Sequence, residues 1–193
     1  MVRILSVIFV LLFSVNQRSS EGKFKIQELG FSFDKPGWYG VQNKDFIPVL
    51  KKYNWNVESA VQGVAVGSIE IIRYHKTRAD NDKKVFLTVT VSGLHKKLRD
   101  FNEFLAFQKN IKVNAPDLKI LQPLTQVNIS GKKATVNSMS YREKDGKGNS
   151  CIIIDQSVKI FMGNFVYNIY IHAKDAKDIV VFDNLVKTIA ITK

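Results

Sequence analysis

The sequence predicts an α+β sandwich, and three stretches carry that prediction. Between Cys151 and Lys193, Ile152, Ile154, Val158, Ile160 and Met162 share one parity, against Ile153, Asp155, Ser157, Lys159 and Phe161 on the other. Alternation with one apolar side marks a half-buried strand. Gly163-Asn164 supplies a tight turn, and Phe165, Tyr167, Ile169 and Ile171 carry the apolar parity onto a second strand. Asp175 then caps a helix whose apolar stripe is Ile179, Phe182, Leu185, Val186 and Ile189. In the second stretch, Val85, Leu87, Val89 and Val91 alternate with Phe86, Thr88, Thr90 and Ser92. The third is a helix opened by Asp100, with Glu103 placed to complete a capping box. Its apolar face is Phe101, Phe104, Leu105 and Ile111, with Gln108 among them.

The remaining elements follow in order. Lys23 to Phe33 reads as one strand, with Phe24, Ile26, Phe31 and Phe33 apolar, and Pro36-Gly37 turns the chain before Trp38-Tyr39. Phe46, Ile47, Val49, Leu50 and Tyr53 form a short helical face, which Tyr53-Asn54-Trp55-Asn56 breaks. Val61 to His75 is rich in β-branched residues and reads as a strand, with Gly63 and Gly67 as candidate bulge positions. It pairs as a hairpin with the strand after Val85, across a polar turn from Arg78 to Asp82. Asn114-Ala115-Pro116 stops the main helix. Val127 and Ile129 lead into a Ser130-Gly131-Lys132 turn, and Ala134 to Tyr141 returns. Asp145-Gly146 with Gly148-Asn149 makes the loop into the final hairpin.

The N-terminus is set apart. Arg3 precedes an apolar run from Ile4 to Val15, interrupted only by Ser6 and Ser14, before polar Asn16 to Gly22. A basic start and a short apolar run have the form of a secretory signal, shorter than a comfortable bilayer span. Residues 1–20 are read as a signal peptide with Ser19 or Ser20 as the cleavage position, and 21–193 as one domain; an uncleaved anchor is the alternative. The expected location is therefore periplasmic or extracellular. The single cysteine, Cys151, cannot form an intramolecular disulfide and is expected to be a small buried hydrophobe. The formal charge is +12, and removing Arg3 and Arg18 with residues 1–20 leaves +10. That surface suits an envelope protein, anionic lipid or anionic polymer as partner, with membrane contact only peripheral. Export argues against nucleic acid. The lysines fall in scattered pairs, Lys51-Lys52, Lys83-Lys84, Lys96-Lys97 and Lys132-Lys133.

Catalytic and metal signatures are missing from the sequence. His75, His95 and His172 are far apart, with no H-E-x-x-H or C-x-x-C, so no metal is expected. Asp80-Asn81-Asp82 lacks the remaining ligands of a calcium loop. No G-x-S-x-G occurs, and Gly63 to Ser68 lacks the lysine of a phosphate loop. Aromatic rings beside a cation are a common way to hold a sugar, an acyl chain or a peptide. Trp38, Tyr53, Trp55, Arg73 and His75 are therefore the candidate ligand-binding residues, with simple covering of the sheet as the competing role. No cofactor is expected.

From Phe31 to Lys193 the chain resembles PsbP-like and DcrB-like proteins. The resemblance rests on Phe33-Asp34-Lys35-Pro36-Gly37-Trp38, on a strand-Gly-strand unit from Val127 to Tyr141 around Gly131, and on the Gly163 hairpin followed by the helix from Asp175 to Ile189. Tyr39 to Gly67 departs from the compact pattern and looks like an insertion. The resemblance implies an α/β/α sandwich on a central, mainly antiparallel sheet. It also implies a non-enzymatic binding or assembly-assisting role in an exported or lumenal compartment. The photosynthetic role of the plant members does not transfer, because nothing here matches a photosystem-specific site. The alternatives are a small hydrolase with a convergent site, or a secreted host-directed interaction protein.

Overall fold

The structure, a computed structural model, describes residues 22–64, 67–76, 85–95, 98, 100–144 and 148–192. The signal-like segment, the Asp80-Asn81-Asp82 turn, Lys83-Lys84, Lys96-Lys97 and Asp145-Gly146 lie outside these residues.

Ten strands form two antiparallel sheets among the described residues. The smaller holds β1 (Lys23–Ile26), β2 (Phe31–Asp34) and β10 (Ala190–Ile191), in the order β1-β2-β10. The larger contains β3 (Tyr39–Gln42), β4 (Ser68–His75), β5 (Phe86–Gly93), β6 (Lys119–Ile129), β7 (Lys132–Lys144), β8 (Ser150–Phe161) and β9 (Phe165–Ala173). Its order is β3-β4-β5-β9-β8-β7-β6. Helices α1 (Phe46–Lys52), α2 (Val57–Gln62) and α4 (Ala176–Lys187) cover one face, together with the small sheet. Helix α3 (Phe101–Asn110) covers one end of the other face, where Phe101 and Phe104 meet Phe161 and Val166. The result is the expected α/β/α sandwich on an antiparallel sheet.

Local chemistry explains most boundaries. The Asp100 carboxylate accepts from the Asn102 and Glu103 amides, and Asp175 accepts from Lys177. These contacts satisfy the first free N–H groups of α3 and α4. Ser130 and Gly131 both have positive φ, 51° and 76°, as a two-residue hairpin between β6 and β7 requires. The region that looked inserted, Tyr39 to Gly67, folds into β3, α1 and α2 against the main core.

Several sequence expectations need correction. Lys23 to Phe33 is two strands, because a 3-10 turn at Gln27–Leu29 ends on Gly30 at φ 63° and reverses the chain. Val61 belongs to α2, which Asn56 caps, and β4 begins only at Ser68. The register shift in β4 falls between Glu70 and Ile72, so Ile71 and Ile72 are both buried, and neither Gly63 nor Gly67 makes it. At the start of β8, Ile153 is buried while Ile152 is exposed, against the parity that holds from Gln156 to Ile160. Helix α3 stops at Asn110, leaving Ile111 extended and exposed. Cys151 is half-buried, its Sγ 3.5 Å from the Glu143 carbonyl, and not a core residue.

The core is dense in aromatic rings where the two sheets meet. Phe31 stacks on Tyr167 at 4.3 Å, Phe24 on Phe33 at 4.9 Å, and Tyr74 meets Phe33 edge-on. The Tyr74 hydroxyl is buried with no hydrogen-bond partner among the described residues. Leaving a buried hydroxyl unsatisfied costs about 1–3 kcal/mol. Tyr74→Phe is therefore expected to raise stability by about 1 kcal/mol, read as a higher urea midpoint with an unchanged m-value.

Candidate functional site

The five residues chosen from the sequence are divided between the two faces of the large sheet. Trp38, Tyr53 and Trp55 are half-buried against the main core on the side of α1 and α2. Tyr53 lies so closely over Gly63 that a Cβ there would sit 2.0 Å from the hydroxyl. Trp55 holds a left-handed backbone at φ 59°. Arg73 and His75 alternate with buried Ile72 and Tyr74, and so point to the opposite face. Arg73 pairs with Glu70 at 2.6 Å and lies over the Phe86 ring at 4.7 Å. The His75 Nδ1 is buried and has no hydrogen-bond partner among the described residues. The structure does not gather these five into one groove.

A concavity that can hold a ligand lies elsewhere, on the face that α3 only half covers. It is a cleft of about 650 Å³, within the range of small-molecule sites. Its floor is the polar parity of three neighbouring strands: Asn137 of β7, Asp155, Ser157 and Lys159 of β8, and Asn168 and Tyr170 of β9. Register aligns them, with Asp155 opposite His172, Ser157 opposite Tyr170 and Lys159 opposite Asn168. Gln108 and Lys109 from the end of α3, with Ile111, Val113 and Leu118, make one wall. Ile120, Pro123 and Leu124 of β6 make the other, with Met139 beside them.

The floor is a connected polar layer. Ser157 donates to the Asn137 side-chain carbonyl at 2.7 Å, and the Lys159 ammonium donates to the Gln108 carbonyl. Burial holds the Lys159 pKa below its ordinary value, because the charged form loses hydration there. The Asn168 Oδ1 is buried without a partner among the described residues. At the other end Asp155 accepts from the Tyr141 hydroxyl at 3.0 Å and faces the His172 Nδ1 at 2.8 Å. A carboxylate can only accept, so Nδ1 carries the proton, and Nε2 lies 3.6 Å from Glu143. Burial, then the Asp155 charge, pushes the phenols of Tyr141 and Tyr170 up, so both stay protonated at neutral pH.

Among the described residues, no group of three or more His, Cys, Asp or Glu is arranged to hold a metal ion, and no helix is long and apolar enough to cross a membrane. Neither a family model nor a curated protein matches the chain. The solution structure of cyanobacterial PsbP (CyanoP) from Synechocystis sp. PCC 6803 aligns over 89% of this chain and 92% of its own, with TM-score 0.50 and 12% identity. The fold is PsbP-like. LpqN of Mycobacterium tuberculosis, described as involved in cell envelope biogenesis, aligns over 67% of this chain and 81% of its own, with TM-score 0.47 and 17% identity.

On this PsbP-like sheet the cleft residues escaped sequence reading because a polar parity looks the same facing water or facing a cleft. The signal lay in the hairpin. Counting back from Gly163-Asn164 puts Lys159 beside Asn168 and Asp155 beside His172.

Proposed function

We propose that this is an exported, non-enzymatic binding protein of the cell envelope whose cleft holds an anionic amphiphile. The observation that carries the reading is the partly desolvated Lys159 ammonium on the floor of a cleft with apolar walls. An anionic head placed there replaces hydration that the ammonium has lost, and charge-assisted bonds of this kind are about twice as strong as neutral ones. The unpartnered Asn168 carbonyl suits a hydroxyl or amide on the same head. An apolar chain then lies along Ile111, Ile120, Leu124 and Met139. Export rests on Arg3 and the apolar run from Ile4 to Val15.

Isothermal titration with dodecyl phosphate, below its micelle concentration, tests the reading. One equivalent is expected to bind, dodecyltrimethylammonium is not, and Lys159→Met weakens binding at least tenfold, about 1.4 kcal/mol. Equal affinity for both detergents, or for both proteins, would sink it. The Asp155–His172 pair at the end of the cleft favours a hydrolase as second reading. It is discriminated by mass spectrometry of recovered ester ligands: intact ligand supports the binder, and cleavage abolished by Asp155→Asn supports the enzyme.

A further inference from the structure

The mouth of the cleft has a composition of its own. Phe107, Ile111, Val113, Ile120 and Leu121 are each between 42% and 59% exposed, and three of them line the cleft. Large apolar side chains left in contact with water, at an opening and in the segments that border it, mark an interaction surface. Exposed Lys109, Lys112 and Lys119 are interleaved with them. Asp117 is the one acidic residue between Phe104 and Leu124, and Arg142 neutralises it at 2.8 Å. Apolar residues alternating with unbalanced positive charge suit an anionic lipid surface, where rings and branched chains enter the headgroup layer and lysines meet phosphates.

A second copy of the chain fits this edge less well. β6 is the outer strand of the sheet, but Pro123 removes a donor, and its ladder shifts register twice, between Ile120 and Gln122 and between Gln122 and Thr125. Such interruptions blunt strand addition. They also leave Ile120 and Leu121, adjacent in sequence, both exposed.

We infer that the cleft mouth, lined by Lys109, Ile111, Val113 and Ile120, docks on an anionic membrane surface together with exposed Phe107, Lys112, Lys119 and Leu121 of the same segments, so that an amphiphile passes between bilayer and cleft. This rests on the reading of the cleft as an amphiphile site, and names where its ligand enters.

Flotation of the full chain with vesicles of phosphatidylcholine, with and without roughly one quarter phosphatidylglycerol, tests it. The expected result is stronger flotation with the anionic vesicles. Phe107→Asp with Leu121→Asp, exposed positions that do not line the cleft, should lower that flotation at least tenfold, and Lys112→Glu with Lys119→Glu should abolish the preference for anionic lipid. Any binding by the N-terminal apolar run is common to all variants and cancels. All four positions are exposed, so the variants should fold, and dodecyl phosphate titration checks that their clefts remain intact. Cleft binding retained with vesicle binding lost is the supporting outcome. Unchanged flotation in both double variants overturns docking and leaves the amphiphile site standing. A wild-type dimer that the aspartate pair converts to a monomer, with flotation unchanged, assigns the face to a second copy and also overturns it. Flotation behaving as expected while dodecyl phosphate never binds would overturn the cleft reading, and with it the passage of ligand.

Discussion

Above about pH 10 the protein is expected to lose stability steeply, because its buried phenols hold protons that the unfolded chain gives up. Tyr74 and Tyr167 are almost wholly buried, and burial pushes both phenols up from the ordinary value of 10.0. Between that value and their folded pKa the native state binds more protons than the unfolded state, so stability falls as pH rises. Each contributes up to about 1.4 kcal/mol per pH unit, which makes a slope of about 3 for the two. Tyr141 and Tyr170 push the same way, reduced by their contact with solvent. Lys159 runs in the opposite sense. Its folded pKa is lowered, so the unfolded chain keeps that proton longer, and stability rises with pH until about 10.5. The phenols win because they outnumber it and keep acting beyond that point. Urea midpoints measured from pH 8 upward should hold or rise slightly, as Lys159 dictates, and then drop sharply through the phenol range, less sharply in Tyr167→Phe. A level midpoint through that range would show that these phenols ionise as freely in the fold as outside it.

Phe31→Ala should be the most damaging single truncation at the seam between the sheets. Phe31 is fully buried, stacked on Tyr167 of the large sheet at 4.3 Å and edge-on to Phe33 at 5.8 Å. Removing a buried phenylalanine ring costs about 3–5 kcal/mol, through lost transfer energy and the cavity left behind. Set against a whole-domain stability of about 5–15 kcal/mol, that is enough to leave the chain marginal. Phe31→Leu keeps most of the volume and should cost less than half as much. Equal losses for the two would mean that the ring contact itself matters more than filled volume.

The elements that the sequence made legible share one property: their apolar residues face one way. β5 shows it in Leu87, Val89 and Val91, and α4 in Phe182 and Leu185, so their periods were plain. Caps at Asp100 and Asp175 fixed two helix starts for the same local reason. Where two faces are buried, or a turn interrupts, the pattern failed. Ile153 is buried although its parity is opposite to that of Val158, and the turn at Gly30 folds an apparently continuous strand back on itself. The short helix α2 was hidden because Val57, Ala60 and Val61 are too few to show a helical period. The candidate site was less legible than the fold. Trp38, Tyr53 and Trp55 drew notice as aromatic side chains, yet all three pack against the core. Lys159, Ser157 and Asn168 read as an ordinary wet strand face, and only the path of α3 and residues 111–118 across them makes a cleft.

The pairing of β2 with β10 has a consequence in time. Thr192 donates to the Gly30 carbonyl, 162 positions away, and the Asp34 amide donates to the Thr188 hydroxyl, 154 positions away. A chain delivered from its amino end therefore carries β1 and β2 without their last partner until β10 has arrived. Until then Phe31 has no Ile191 beside it, even after Tyr167 has arrived to stack on it. Contacts of such long span close late, since loop entropy must be overcome before they return anything. The clasp is thus a delay as well as a joint: β2 waits, with one edge unpaired, for residues 188–192.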